Sequence, residues 1–110
     1  MRTHRHMPVV AYPDMKQFSD EHLQMIASRG RALADPTRVR ILAVLRRGEQ
    51  AVGQVALLAG TRQSTASKHL QVLHHAGLVR RRRDASTVFY SLSSDEVLRV
   101  CDYLRSPQLV

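Results

Sequence analysis

From Val52 to Gly77 the chain carries two helical patterns parted by a break of about three residues. Val52, Val55, Ala56 and Ala59 recur at helical spacing until Gly60 stops them, and a second pattern then runs from Arg62 to Gly77. A helix that stops on glycine and restarts this soon has to turn tightly, so the spacing predicts helix, tight turn, helix. In the second helix Ala66, Leu70, Leu73 and Gly77 fall on one side at steps of 4, 3 and 4. Ser64, Ser67, Lys68, Gln71 and His75 fall on the other. One side can dock on a core, and the other is left polar and short-chained.

Elements on both sides of this pair limit the architecture further. Ser19 can cap a first helix over 19–34, with Asp20 and Glu21 in the turn where the dipole favours acids and Leu23, Ile26, Gly30 and Leu33 along one face. Asp35-Pro36 restarts a second helix over 36–47, striped by Val39, Leu42 and Leu45 and closed by Gly48. After Gly77 the residues change character. Leu78-Val79 leads into Arg80-Arg81-Arg82-Arg83, then Asp84-Ala85-Ser86, then the β-branched and aromatic run Thr87 to Leu92, which reads as a β-hairpin. A last helix over 94–105 has Ser93 or Ser94 as cap, Val97, Cys101 and Leu104 on one face, and Pro107 beyond it. This order, mainly α with a small β-hairpin wing, is that of a winged helix-turn-helix.

The chain has 110 residues, room for one core where independent domains usually need roughly 100 to 200. The expected organisation is an N-terminal tail over 1–17 and one domain over 18–106. The outer helices carry more apolar stripe than so small a core can bury, so they are expected to pair with a second copy, through Phe18, Leu23 and Ile26 of the first helix and Val97, Cys101 and Leu104 of the last. Cys101 is the lone cysteine, which excludes an intramolecular disulfide, and no apolar run approaches the roughly 20 residues of a membrane span. No signal-peptide pattern follows Met1 to Met7, so the expected compartment is the cytoplasm, away from membranes.

Seventeen Lys and Arg oppose nine Asp and Glu, a net charge of +8, and lysine occurs only at Lys16 and Lys68. Arginine forks match phosphate oxygens and base edges, so duplex DNA is the expected anionic partner. A helix entering the major groove needs short hydrogen-bonding side chains near its N-terminus and a cation within reach of phosphate, as Gln63, Ser64, Ser67 and Lys68 provide. The expected DNA contacts are Arg62, Gln63, Ser64, Thr65, Ser67, Lys68, His69 and Gln71 on the helix, with Arg80, Arg82, Arg83 and Ser86 on the hairpin. Alternate strand residues face opposite ways, so at most half of the four hairpin arginines can meet one backbone.

Three stretches carry a family resemblance: Leu33-Ala34-Asp35-Pro36-Thr37-Arg38-Val39-Arg40-Ile41-Leu42, then Gln63 through Leu73, then Ala76-Gly77-Leu78-Val79. Together, over about residues 20–104, they resemble the ArsR/SmtB bacterial repressors. The resemblance implies a homodimer joined through the first and last helices, bound to operator DNA and released by an inducer, such as a small-molecule or redox effector. Many family members have a cysteine motif in the third helix, whereas Gln50 to Val55 contains no sulfur, which excludes a thiolate metal site there. Others place Asp, His and Glu ligands on the closing helix, where this chain has Asp95, Glu96 and Asp102 without histidine, so no metal or cofactor is expected. Arg62 stands where the family often has serine and Ala85 where it often has glycine, so Thr61 is expected to cap the recognition helix and Arg62 to add a phosphate contact.

Other readings compete. An enzyme would need a phosphate loop, a metal-ligand cluster or a nucleophile with its base, and the sequence has none of these patterns. A winged helix can serve as a protein-interaction module without operator binding, a reading the polar helix face and the arginine wing oppose. His4 and His6 could hold a metal, and Cys101 could sense oxidants, but a tail and a small apolar core residue are the preferred readings of them.

Overall fold

Ser19, Asp35, Gly60 and Gly77 divide the helices, each by its own chemistry. The computed structural model of the chain describes residues 18–107. Helix α1 spans Asp20–Ala32, and the Ser19 Oγ accepts from the His22 N–H at 3.1 Å. Helix α2 spans Pro36–Val44, with the Asp35 carboxylate accepting from the Arg38 N–H at 3.0 Å, and a 3-10 turn at Leu45–Arg47 follows it. Strand β1 is the two residues Gln50–Ala51, helix α3 is Val52–Ala59, and helix α4 is Gln63–His75. Strands β2 (Val79–Asp84) and β3 (Thr87–Leu92) form the hairpin, and helix α5 spans Glu96–Leu104.

Gly60 and Gly77 sit at positive φ, +71° and +79°, where a side chain is strained. Each lets the chain fold back on the helix it ends: the Thr61 N–H reaches the Ala56 carbonyl at 3.0 Å and the Leu78 N–H reaches Leu73 at 3.0 Å. Gly77 also leaves room for Arg29, whose Nε donates to the Ala76 carbonyl at 3.1 Å and docks α1 on the end of α4.

Antiparallel pairing gives the strand order β1-β3-β2. Gln50 lies opposite Tyr90 and Ala51 opposite Phe89, while β2 and β3 run in register from Val79–Leu92 to Asp84–Thr87. Ile41, Leu42, Leu45, Val55, Leu70 and Leu73 are fully buried and, with Tyr90 from β3, make the core between α2, α3, α4 and the sheet. Burying such a side chain contributes roughly 1.5–3 kcal/mol. The core thus grips α4 by its apolar stripe and leaves the opposite side outward.

Several boundaries differ from the sequence reading. The first helix stops at Ala32 instead of 34, because Arg38 takes up its last carbonyls: Nε donates to Ala32 at 2.8 Å and a terminal nitrogen to Arg31 at 3.1 Å. The second tightens into the 3-10 turn after Val44, α4 ends at His75, and α5 starts at Glu96, whose N–H bonds to the Ser94 Oγ at 3.1 Å. Val97, expected at a subunit interface, is a correction: α5 packs on α2 and turns Val97 into the chain's own core, 8% exposed. Leu23 and Ile26 of α1 and Leu104 of α5 remain exposed, joined by Met25, Val100 and Tyr103. Phe18 and Cys101 are half-buried.

Candidate nucleic-acid interface

Helix α4 is held by Ala66, Leu70 and Leu73, and that stripe decides what its other side presents. Gln63, Ser64 and Ser67 line one wall of an open groove whose far wall is Ser86, Thr87 and Val88 of the hairpin. Among the described residues, no acidic side chain lines it. One turn further along, the Gln71 Nε2 donates to the Ser67 Oγ at 3.4 Å, and Lys68 is exposed beside them. Five expected DNA contacts therefore share the outward side of α4, and Ser86 faces them across the groove.

The N-terminus of α4 has no side-chain cap. Thr61, expected in that role, instead donates its hydroxyl to the Arg62 carbonyl at 2.7 Å, and Arg62 itself takes the cap position. First-turn amides left without an acceptor, at the positive end of a helix dipole, suit an anion.

Two expected contacts on α4 turn elsewhere. Thr65 is half-buried. His69 lies on the edge of the apolar stripe, with Nδ1 3.4 Å from an Arg38 terminal nitrogen and Nε2 4.0 Å from the Asp35 carboxylate. Arg38 thereby links three helices, through the α1 carbonyls, its own N–H on Asp35, and His69 of α4. The Arg38 N–H bond, helped by the charges of His69 and Arg38, holds the Asp35 carboxyl below its ordinary value.

On the hairpin, the register puts Arg80 and Arg82 on one face with Phe89, and Arg81 and Arg83 on the other with Val88 and Tyr90. Arg82, expected to be free for DNA, is bonded to both oxygens of Glu49 and stacked on Phe89, with its centre 4.6 Å from the ring centroid. Among the described residues, Arg80, Arg81 and Arg83 have no carboxylate partner. Arg81 is not among the expected contacts, although the strand alternation that places Arg83 on the Val88 face places Arg81 there too.

Among the described residues, no three His, Cys, Asp or Glu side chains gather into a group that could hold a metal ion. Asp102 on α5 is taken by Arg105 at 3.1 Å and Arg46 at 3.9 Å. Burial, with Asp102 adding, pushes the Cys101 thiol above its ordinary value, away from the reactive thiolate. His4 and His6 lie outside the described residues. Among the described residues, no helix is long and apolar enough to cross a membrane.

Residues 33–82 match a family described as a helix-turn-helix domain. A solved homodimeric winged helix-turn-helix DNA-binding domain from Mycobacterium bovis, described as a possible ArsR-family transcriptional regulator, superposes with a TM-score of 0.70 at 34% identity. That alignment covers 86% of this chain and 84% of the other. The chain belongs to the ArsR/SmtB family. Among ArsR/SmtB relatives, the nodulation protein NolR of Rhizobium meliloti is 48% identical over 69 residues, 63% of this chain and 57% of NolR. The transcriptional activator HlyU of Vibrio cholerae is 40% identical over 74 residues, 67% of this chain and 68% of HlyU. The family's winged helix-turn-helix architecture is thus the one built here by α3, α4 and the hairpin.

Proposed function

We propose that the chain is a repressor that binds operator DNA as a homodimer, each copy placing α4 in a major groove. The observation that carries this reading is the acid-free groove in which Gln63, Ser64 and Ser67 face the wing beneath an uncapped helix N-terminus. Short hydroxyl and amide side chains at the start of a helix can approach base edges, while Lys68, Arg81 and Arg83 reach for phosphate. Arg62 joins them at the exposed cap position. The exposed apolar residues Leu23, Met25 and Ile26 on α1, with Val100, Tyr103 and Leu104 on α5, support pairing through these two helices. The domain proposed to do this covers 18–106, in the cytoplasm.

Repression follows if the bound dimer occupies the site that polymerase needs. The test is fluorescence anisotropy on the DNA upstream of the chain's own gene, together with a reporter driven by that DNA. Tight binding over a scrambled duplex and a reporter that falls when the protein is supplied are the expected results. No preference for that DNA contradicts operator binding, and a reporter that rises contradicts repression.

A further inference from the structure

We propose that the groove between α1 and α4 binds a small organic anion with an apolar body, an aryl or medium-chain carboxylate, and that the bound anion competes with DNA at Lys68. The second half rests on the DNA-binding reading above, and the first half stands without it. The groove holds about 450 Å³, within the range of roughly 300–1,000 Å³ typical of small-ligand sites. Ala32, Val72 and Ala76 form its apolar floor, and Val72 is 42% exposed although it sits in the middle of α4. Arg31, Lys68 and His75 stand around it, and among the described residues no acidic side chain lines it. Arg38 also lines the groove, but its guanidinium is taken by the Arg31 and Ala32 carbonyls and His69. Among the described residues, Arg31 and Lys68 are therefore the cations left for a ligand.

This pairing of surfaces selects the occupant. Ala32 and Ala76 are already buried, so a phosphodiester would use the two cations and leave the exposed Val72 in water, whereas a carboxylate carried on a ring or alkyl chain also covers Val72. Lys68 is exposed on the side of α4 that carries Ser64 and Gln71, and it also lines this groove. An anion seated on Lys68 withdraws that cation from the duplex and brings negative charge toward the phosphates. Such a ligand is an inducer by charge alone, with no rearrangement of the fold.

Isothermal titration of the full chain with 2-naphthoate, decanoate and inorganic phosphate tests the site. At least one of the two carboxylates should saturate at one per chain, and inorganic phosphate should not. Arg31→Glu should weaken that binding about tenfold or more, as loss of a charge-assisted contact and its replacement by repulsion imply. Val72→Asp should remove it, with circular dichroism showing both exposed-site variants folded. In anisotropy, the saturating carboxylate should weaken duplex binding about tenfold in the wild type, a typical coupling between sites, and leave Arg31→Glu unaffected. Failure of both carboxylates to bind, or binding indifferent to Arg31→Glu, overturns the proposal. If no carboxylate binds and Arg31→Glu instead lowers the salt dependence of duplex binding, the groove is a phosphate track and the proposal also falls. Absence of duplex binding altogether would count against the DNA-binding reading while the calorimetry still decides the site.

Discussion

The Glu49 carboxylate grips the edge of the Arg82 guanidinium, with Oε1 2.7 Å from a terminal nitrogen and Oε2 3.0 Å from Nε. Glu49 precedes β1 and Arg82 lies on β2, so the pair ties the wing to the root of α3, with Phe89 stacked beneath. One of the arginines expected at DNA is thereby a strut.

The strut has a pH signature. Arg82 holds the Glu49 carboxyl below its ordinary value of 4.5. A depressed folded value means that the contribution to stability is complete above the unfolded value and is lost as pH falls through the folded one. In urea unfolding, Glu49→Gln should therefore lower the midpoint near neutrality, and the gap to wild type should close as pH drops below 4.5. A gap that stays constant into the acid range contradicts the assignment.

Ala85 at the wing tip has φ +56°, the left-handed region in a residue with a Cβ. That conformation costs roughly 1–2 kcal/mol in a non-glycine residue. Ala85→Gly should raise stability by about 1 kcal/mol, less than the full strain because glycine also loses more backbone freedom on folding. A drop in the unfolding midpoint would show that the turn is not strained.

Arg38 joins α1, α2 and α4 through the Ala32 and Arg31 carbonyls and His69. Arg38→Ala leaves the Ala32 carbonyl without its donor, while that of Arg31 keeps the Ala34 N–H, and should cost about 2 kcal/mol by chemical denaturation. Arg38→Lys should recover little of it, since an ammonium cannot span the two carbonyls as the planar fork does. Full recovery by lysine would mean that charge, and not geometry, holds the junction.

Much of this arrangement is legible in the residues. Asp35-Pro36, Gly60 and Gly77 punctuate the helices because each acts locally, through a cap, a missing N–H or a permitted left-handed φ. What escapes is set by distant partners. Strand β1 is two residues long and exists through pairing with Phe89 and Tyr90, so nothing between Gly48 and Val52 announces it. The early end of α1 depends on Arg38, six residues beyond Ala32. His69 reads as outward, yet it lies three residues after Ala66 and four before Leu73, a spacing that could have placed it on the margin of the buried stripe. Arg82 and Arg80 share a strand face, and only the position of Glu49 distinguishes them.

Base reading and backbone contact should separate by substitution. Ser67→Ala should narrow the affinity difference between operator and altered sequences, with little change in salt dependence. Arg83→Ala should weaken all duplexes alike and lower the slope of log K against log salt by about 0.9, the loss of one phosphate contact. Anisotropy titrations over a salt series measure both, and identical behaviour of the two variants contradicts the division.

Hydroxyl-radical footprinting of the full chain on the DNA upstream of its own gene tests the central claim most directly. A two-fold dimer with one α4 per major groove should protect two patches about one helical turn apart, roughly 10 base pairs. Replacing Gln63 and Ser64 together by alanine should erase them. No protection at low salt, or patches unchanged by that double substitution, would contradict the account.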